Sequence, residues 1–168
     1  MRIDTLEEFY VESLKDLYHA EHQVLRALPR MANAATSPDL RRLIQGHSVE
    51  TRTHVDRLDI IFDGIKTDPL GKPCKAMAGL LAESDEVING DISDRAKDAA
   101  LISAAQRIDH YEMAGYGSLL TYARMLGERE AVGLLDETLR EDGDFGDALA
   151  ALAEASAHLH SNMAAAMS

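Results

Sequence analysis

The sequence predicts an all-α protein: four long amphipathic helices, with a long crossover between the second and the third. Three observations lead there. Alanine and leucine dominate, runs of β-branched residues are absent, and aromatics make up 5% of the 168 residues, a composition that favours helices over sheets. Apolar residues recur every three or four positions in four separate stretches, the spacing of one buried helix face. Between those stretches lie Ser-Pro, Asn-Gly and Gly/Pro-rich segments, which start and stop helices.

The first helix begins at Asp4 or Thr5, where Thr5 and Glu8 have capping-box spacing. Leu14, Leu17, Glu21, Leu25 and Leu28 then follow a single face. Pro29 is expected to kink this helix or mark its last turns. Ser37-Pro38 starts the second helix, with a hydroxyl at the cap and proline in the first turn. Its seam reads Leu40, Leu43, His47, Glu50, His54, Leu58 and Ile61, and Gly64 is the expected stop. "DGIKTDPLGKPCK" reads as a loop, followed by a shorter helix over about 74 to 88 that Asn89-Gly90 ends. The third long helix starts at Ser93 or Asp94 and ends at Gly127, with a seam of Ala105, Ile108, Glu112, Tyr116, Leu119, Ala123 and Leu126. The last runs from about Glu128 into the 160s, with Leu134, Thr138, Glu141, Phe145, Ala148 and Leu152 on one face. Gly143 and Gly146 are expected to soften its middle, and the tail "SNMAAAMS" to fray. The whole, residues 1–168, reads as one domain: a ferritin-like four-helix bundle whose crossover carries a shorter fifth helix.

Composition narrows the function. The formal charge is −12 and no Lys/Arg cluster occurs, so a nucleic-acid-binding face is not expected. Such acidity suits solubility or the attraction of cations. The single cysteine, Cys74, excludes an intrachain disulfide and a thiolate metal cage. The N-terminus lacks the apolar core of a signal peptide, and no run of about 18 apolar residues exists. A cytoplasmic protein is the expectation.

Each long helix places a glutamate on its apolar seam: Glu21, Glu50, Glu112 and Glu141. Glu21 to Glu50 and Glu112 to Glu141 are both 29 residues, so the halves are offset by 91. "YHAE" (18–21) corresponds to "DHYE" (109–112) under the same offset. Equivalent hairpins would bring the four carboxylates to one depth, where they would repel one another. Protonation relieves that repulsion, and so do two divalent cations. The helical solution for two metals uses a Glu from each of two helices and a Glu-x-x-His from each of the others. After Glu50 that position is Thr53, with His54 one step later; after Glu141 it is Asp144. The candidate ligands are therefore Glu21, Glu50, His54, Glu112, Glu141 and Asp144. His54 is the favoured outer imidazole and His47 the alternative. Carboxylate with imidazole suits iron or manganese. His19, His22, His110, His158 and His160 read as surface or supporting residues, and Tyr18 and Tyr116 as packing. Asp109 faces either solvent or a ligand.

"LKDLYHAEHQ", "HSVETRTHVDRLDIIF" and "IDHYEMAGYG" resemble the YciE/YciF family of ferritin-like proteins, over nearly the whole chain. The resemblance implies a dinuclear metal centre, a homodimer, a part in bacterial stress responses and a ferroxidase-type activity. Its ligand set carries over onto Glu21, Glu50, Glu112 and Glu141, with His54 and Asp144 as outer candidates. Asp109 stands where the family would have Glu. The reaction expected is oxidation of Fe(II) by oxygen or hydrogen peroxide. The alternatives are a manganese catalase-like enzyme and a non-catalytic binding module holding a structural metal.

Overall fold

The computed structural model describes the backbone of residues 3–166 and the side chains of residues 3–155. Among the described residues there are five helices and no strand: α1 (Leu6–Ala34), α2 (Pro38–Gly64), α3 (Lys75–Asn89), α4 (Asp94–Leu126) and α5 (Arg129–Ala166). Helices α1 and α2 form one hairpin and α4 and α5 the other; α1 packs on α4 and α2 on α5. The crossover helix α3 lies against α1 and α4. The predicted bundle class and the position of its crossover are therefore both observed.

Local chemistry explains the ends. Thr5 Oγ1 accepts from the Glu8 amide at 3.1 Å, while the Asp4 amide donates to Glu8 Oε2 at 2.7 Å. Two otherwise orphaned donors are satisfied in this way. Pro29 lies inside the closing turns of α1, which continues to Ala34. Ser37 Oγ caps α2, accepting from the Leu40 amide at 3.4 Å. Asp98 on α4 accepts from the amides of Thr36 and Ser37 at 2.7 and 2.8 Å, so the α1–α2 turn is tied to the opposite hairpin. Gly127 closes α4 in the left-handed region, with φ of 78°. Gly64 does not act this way: it ends α2 within the helix, and the left-handed turn falls on Lys66 instead, with φ of 52°. The two glycines in mid-α5 do not interrupt that helix. Residues 167 and 168 of the tail lie outside the described residues, as do the side chains of His158 and His160.

The core runs along all four long helices, through Leu14, Leu28, Met31, Ile44, Leu58, Leu101, Leu119, Leu135 and Leu149 among others. Gly115 lets α4 approach α1 closely, because a Cβ there would meet Leu17 Cδ1 at 3.0 Å. Cys74, a buried free thiol beside α3, contacts Asp16 Oδ2 at 3.3 Å and the Tyr111 hydroxyl at 3.0 Å. Burial pushes its pKa up, so it stays a thiol and an inert core group. No helix among the described residues is long and apolar enough to cross a membrane.

Candidate metal centre

Midway along the bundle the apolar core gives way to a buried polar layer. The side chains follow helical spacing: Glu21 on α1; His47, Thr51 and His54 on α2; Asp109, Glu112 and Tyr116 on α4; Thr138, Asp142 and Phe145 on α5. All are buried. Steps of three and four residues keep each group on one inward strip. Thr51 spends its hydroxyl within its own helix, donating to the His47 carbonyl at 2.8 Å.

His47, Glu112 and Asp142 each offer one ligand atom, and these atoms lie within 4.8 Å of one another. His54 sits beside them, with Nδ1 at 3.6 Å from Glu21 Oε1 and 3.7 Å from Asp142 Oδ1. Its Nε2 is 3.1 Å from Glu141 Oε2. The Tyr116 hydroxyl donates to Glu21 Oε1. Beyond these contacts the layer is short of donors. Seven carboxylate oxygens have no hydrogen-bond partner: Glu21 Oε2 and both oxygens of Asp109, Glu112 and Asp142. Buried polar atoms in native proteins are nearly always paired, so these oxygens call for protons or a cation.

The titration behaviour reflects that shortage. Burial drives Glu112 well above the usual carboxylate range, and Glu21, Asp142 and Asp109 push it further. Burial raises Asp142 to about 8 against the pull of His54, with Glu21 and Asp109 adding to the rise. Asp109 is pushed up to about 7 by burial, again against His54. Burial alone would lower His54, but its hydrogen bond to Glu21 and the charges of Glu21, Asp142 and Glu141 raise it overall. Two imidazoles facing four carboxyl groups could not balance them if all four were ionised. Protons or metal cations must neutralise the remainder. Oxygen and imidazole donors of this kind fit iron or manganese, and the unpaired oxygens are where a cation would bind.

The predicted site residues divide by depth. Glu21, His54 and Glu112 come together in the buried layer. Glu50 and Glu141 do not share that depth: their side chains are 48% and 28% exposed. The Arg57 guanidinium grips Glu141 with two bonds of 2.6 and 2.9 Å and donates to Thr138 Oγ1 at 3.0 Å. That grip holds the Glu141 carboxyl below its ordinary range. Asp144 is exposed. Glu50, Glu141 and Asp144 instead line an open groove of about 260 Å³ between α2 and α5, with His47 and Phe145 in its wall. Asp109, open to two readings in the sequence, is fully buried. Gly146 leaves it room: a Cβ there would fall 2.7 Å from Asp109 Oδ2. His110 is exposed, whereas His19 and His22 are half-buried.

Sequence reasoning missed Asp142 and Arg57. Asp142 adjoins Glu141, and the Glu-to-Glu spacing drew attention to the member of that pair that lies nearer the surface. Arg57 carried the signal. An arginine three residues after His54 lies on the edge of the same face, ready to claim a carboxylate from α5.

Residues 5–162 match the family described as "Domain of unknown function (DUF892)". The chain is 39% identical over 143 residues to Protein YciF of Escherichia coli strain K12, an alignment covering 84% of this chain and 86% of that protein. The chain belongs to the YciF family. The crystal structure of the E. coli stress protein YciF superposes with a TM-score of 0.90 at 37% identity, over 93% of this chain and 99% of that one. YcfI of Rhodopseudomonas palustris, described as a candidate structural protein, gives 0.84 at 36% identity over 88% and 94%. The XCC3681 protein of Xanthomonas campestris shares the fold, with a TM-score of 0.73 at 20% identity over 95% and 99%.

Proposed function

We propose that this YciF-family protein is a dinuclear carboxylate metalloprotein that binds iron and oxidises it with oxygen or hydrogen peroxide. One observation carries the reading: seven unpaired carboxylate oxygens are buried beside two buried histidines. Ionised without a partner, these groups would oppose folding, and divalent cations would take the place of the protons that burial otherwise holds on them.

Glu112, Asp142 and His47 would hold one ion, and Glu21 and His54 the other, with Asp109 alongside. Bound iron would supply the electrons that reduce oxygen or peroxide. The chain's own part is to bind and to shield. Tyr116 fixes one Glu21 oxygen and leaves the other free. Arg57 keeps Glu141 at the rim, where it adds negative potential to the groove without crowding the layer. The hard anionic shell favours the more highly charged metal product. Manganese suits the same donors, and metal analysis of the purified protein would distinguish the two. A stress-related module with a purely structural metal is the rival reading, supported by the description of the Rhodopseudomonas relative. We further propose a homodimer. Val49 and Ile60, exposed apolar residues of α2, lie three turns apart on one outward face.

Anaerobic Fe(II) titration followed by oxygen, watched by ultraviolet absorbance, tests the proposal. About two irons per chain, lost in Glu112→Gln/Asp142→Asn, is the expected result. Stoichiometry near zero would sink it. Binding without turnover would favour the structural module.

A further inference from the structure

On the groove side of the centre, two contacts of His47 have no part in the proposed function so far. His47 is 2% exposed, and its ring lies flat against Phe145, with centroids 3.7 Å apart and planes 3° from parallel. Its Nδ1 is 3.3 Å from Glu50 Oε2, one turn further along α2. Glu50 reaches solvent through the groove, with 48% of its side chain exposed, and presents its carboxylate to His47. An ionised carboxylate can only accept hydrogen bonds. Nδ1 is therefore the donor of this contact, which leaves Nε2 as the ring nitrogen free to accept. The ring as a whole offers a nitrogen within 4.8 Å of carboxylate oxygens of both Glu112 and Asp142.

We infer that His47 is a metal ligand through Nε2, and that Glu50 and Phe145 are its positioning residues. Glu50 selects the tautomer and Phe145 fixes the ring plane. The inference rests on the metal reading above and moves Glu50 from ligand to the partner of a ligand. A histidine that donates its other ring N–H to a carboxylate is a more basic and better-oriented ligand, and loss of such a partner lowers metal affinity roughly 10- to 100-fold. The stack adds what the hydrogen bond cannot, because a ring held only at Nδ1 can still rock out of plane.

The test is nuclear magnetic resonance of the metal-free, 15N-histidine-labelled protein at pH 8. His47→Gln identifies the His47 signals, and Zn(II) serves as a diamagnetic metal probe. Long-range proton–nitrogen correlations should show the Nδ1–H tautomer at His47. Glu50→Gln, whose side-chain carbonyl still accepts, should keep that tautomer. Glu50→Ala should lose it and weaken Zn(II) binding roughly 10- to 100-fold. Phe145→Leu should weaken binding with the tautomer unchanged. Because Glu50 is 48% exposed, its variants are expected to fold, and circular dichroism checks that. An Nε2–H tautomer in the wild type, a tautomer indifferent to Glu50→Ala, or a Zn(II)-shifted Nδ1 would each overturn the inference. If the tautomer is as expected but neither Zn(II) nor Fe(II) binds, the metal reading fails and takes the ligand assignment with it, while the tautomer assignment stands.

Discussion

Replacing Asp109 by asparagine should stabilise the metal-free protein in alkaline solution far more than in acid. Asp109 is 0% exposed, its oxygens have no partners, and burial moves its titration from 3.8 to about 7. The shift has one sign. In the unfolded chain the group ionises near 3.8, and in the fold it holds its proton up to about 7. The folded state binds the extra proton between those values, so stability falls as pH rises through that window and levels off above it. At about 1.36 kcal/mol per pH unit the full loss is about 4 kcal/mol. Roughly 1.6 kcal/mol of it has accrued by pH 5, which leaves about 2.5 kcal/mol to appear between pH 5 and pH 8.5. Asparagine cannot ionise, and any penalty for its unpaired amide is the same at both pH values. Urea unfolding of chelator-treated wild type and Asp109→Asn at the two pH values should therefore show the variant gaining about 2.5 kcal/mol on the wild type from acid to alkali. A difference between the proteins that does not move with pH would mean that Asp109 titrates normally. The buried, unpaired layer would then be wrong at its centre.

Two further perturbations probe the supports of that layer. Arg57→Met removes both bonds to Glu141 and the bond to Thr138. It should lower stability by about 2–3 kcal/mol in urea titrations, less than a fully buried pair because solvent reaches Glu141 and screens it. A change under 0.5 kcal/mol, the size of an ordinary surface substitution, would show that the clamp is ornamental. Gly146→Ala places a methyl group 2.7 Å from Asp109 Oδ2. It should destabilise the wild type by about 1 kcal/mol, a steric cost of about 2 less the helix preference of alanine. In an Asp109→Ala background the same change should stabilise by about 1 kcal/mol, and additive effects in the double-mutant cycle would refute the contact.

The four-helix architecture was legible because its signals are local. Caps at Thr5 and Ser37, the stop at Gly127 and the 3–4 spacing of leucines each act within one or two turns. The site was legible in part. Glu21 and Glu112 lie between apolar residues on both sides, so periodicity alone identified them as buried. The 29-residue repeat did not bring its four glutamates to one depth: Glu50 and Glu141 emerge together on one groove. What it could not give was depth. Adjacent residues on a helix differ by about 100°, so turning α5 by that angle exchanges Glu141 for Asp142 in the core. Thr138 and Phe145 fit either face. The choice was made by a long-range partner: Arg57 on α2 takes Glu141, and Asp142 turns inward. Tertiary pairing of that kind leaves no mark on hydrophobic spacing.

The crossover helix has a consequence for how the molecule opens. Of its residues, α3 buries only Met77, Leu81 and Ser84, whereas α1 and α2 bury ten each. Its start is held largely by side-chain bonds, from Gln23 to the Cys74 carbonyl at 2.9 Å and from the Cys74 amide to His19 Nδ1 at 3.2 Å. Local unfolding begins where few apolar contacts resist it. Amide hydrogens of α3 should therefore exchange ahead of those in the four long helices, by an opening that leaves both hairpins intact. Such fluctuations would uncover the α1–α4 seam intermittently, on the side of the bundle away from the groove, giving the buried carboxylates a second and slower route to solvent.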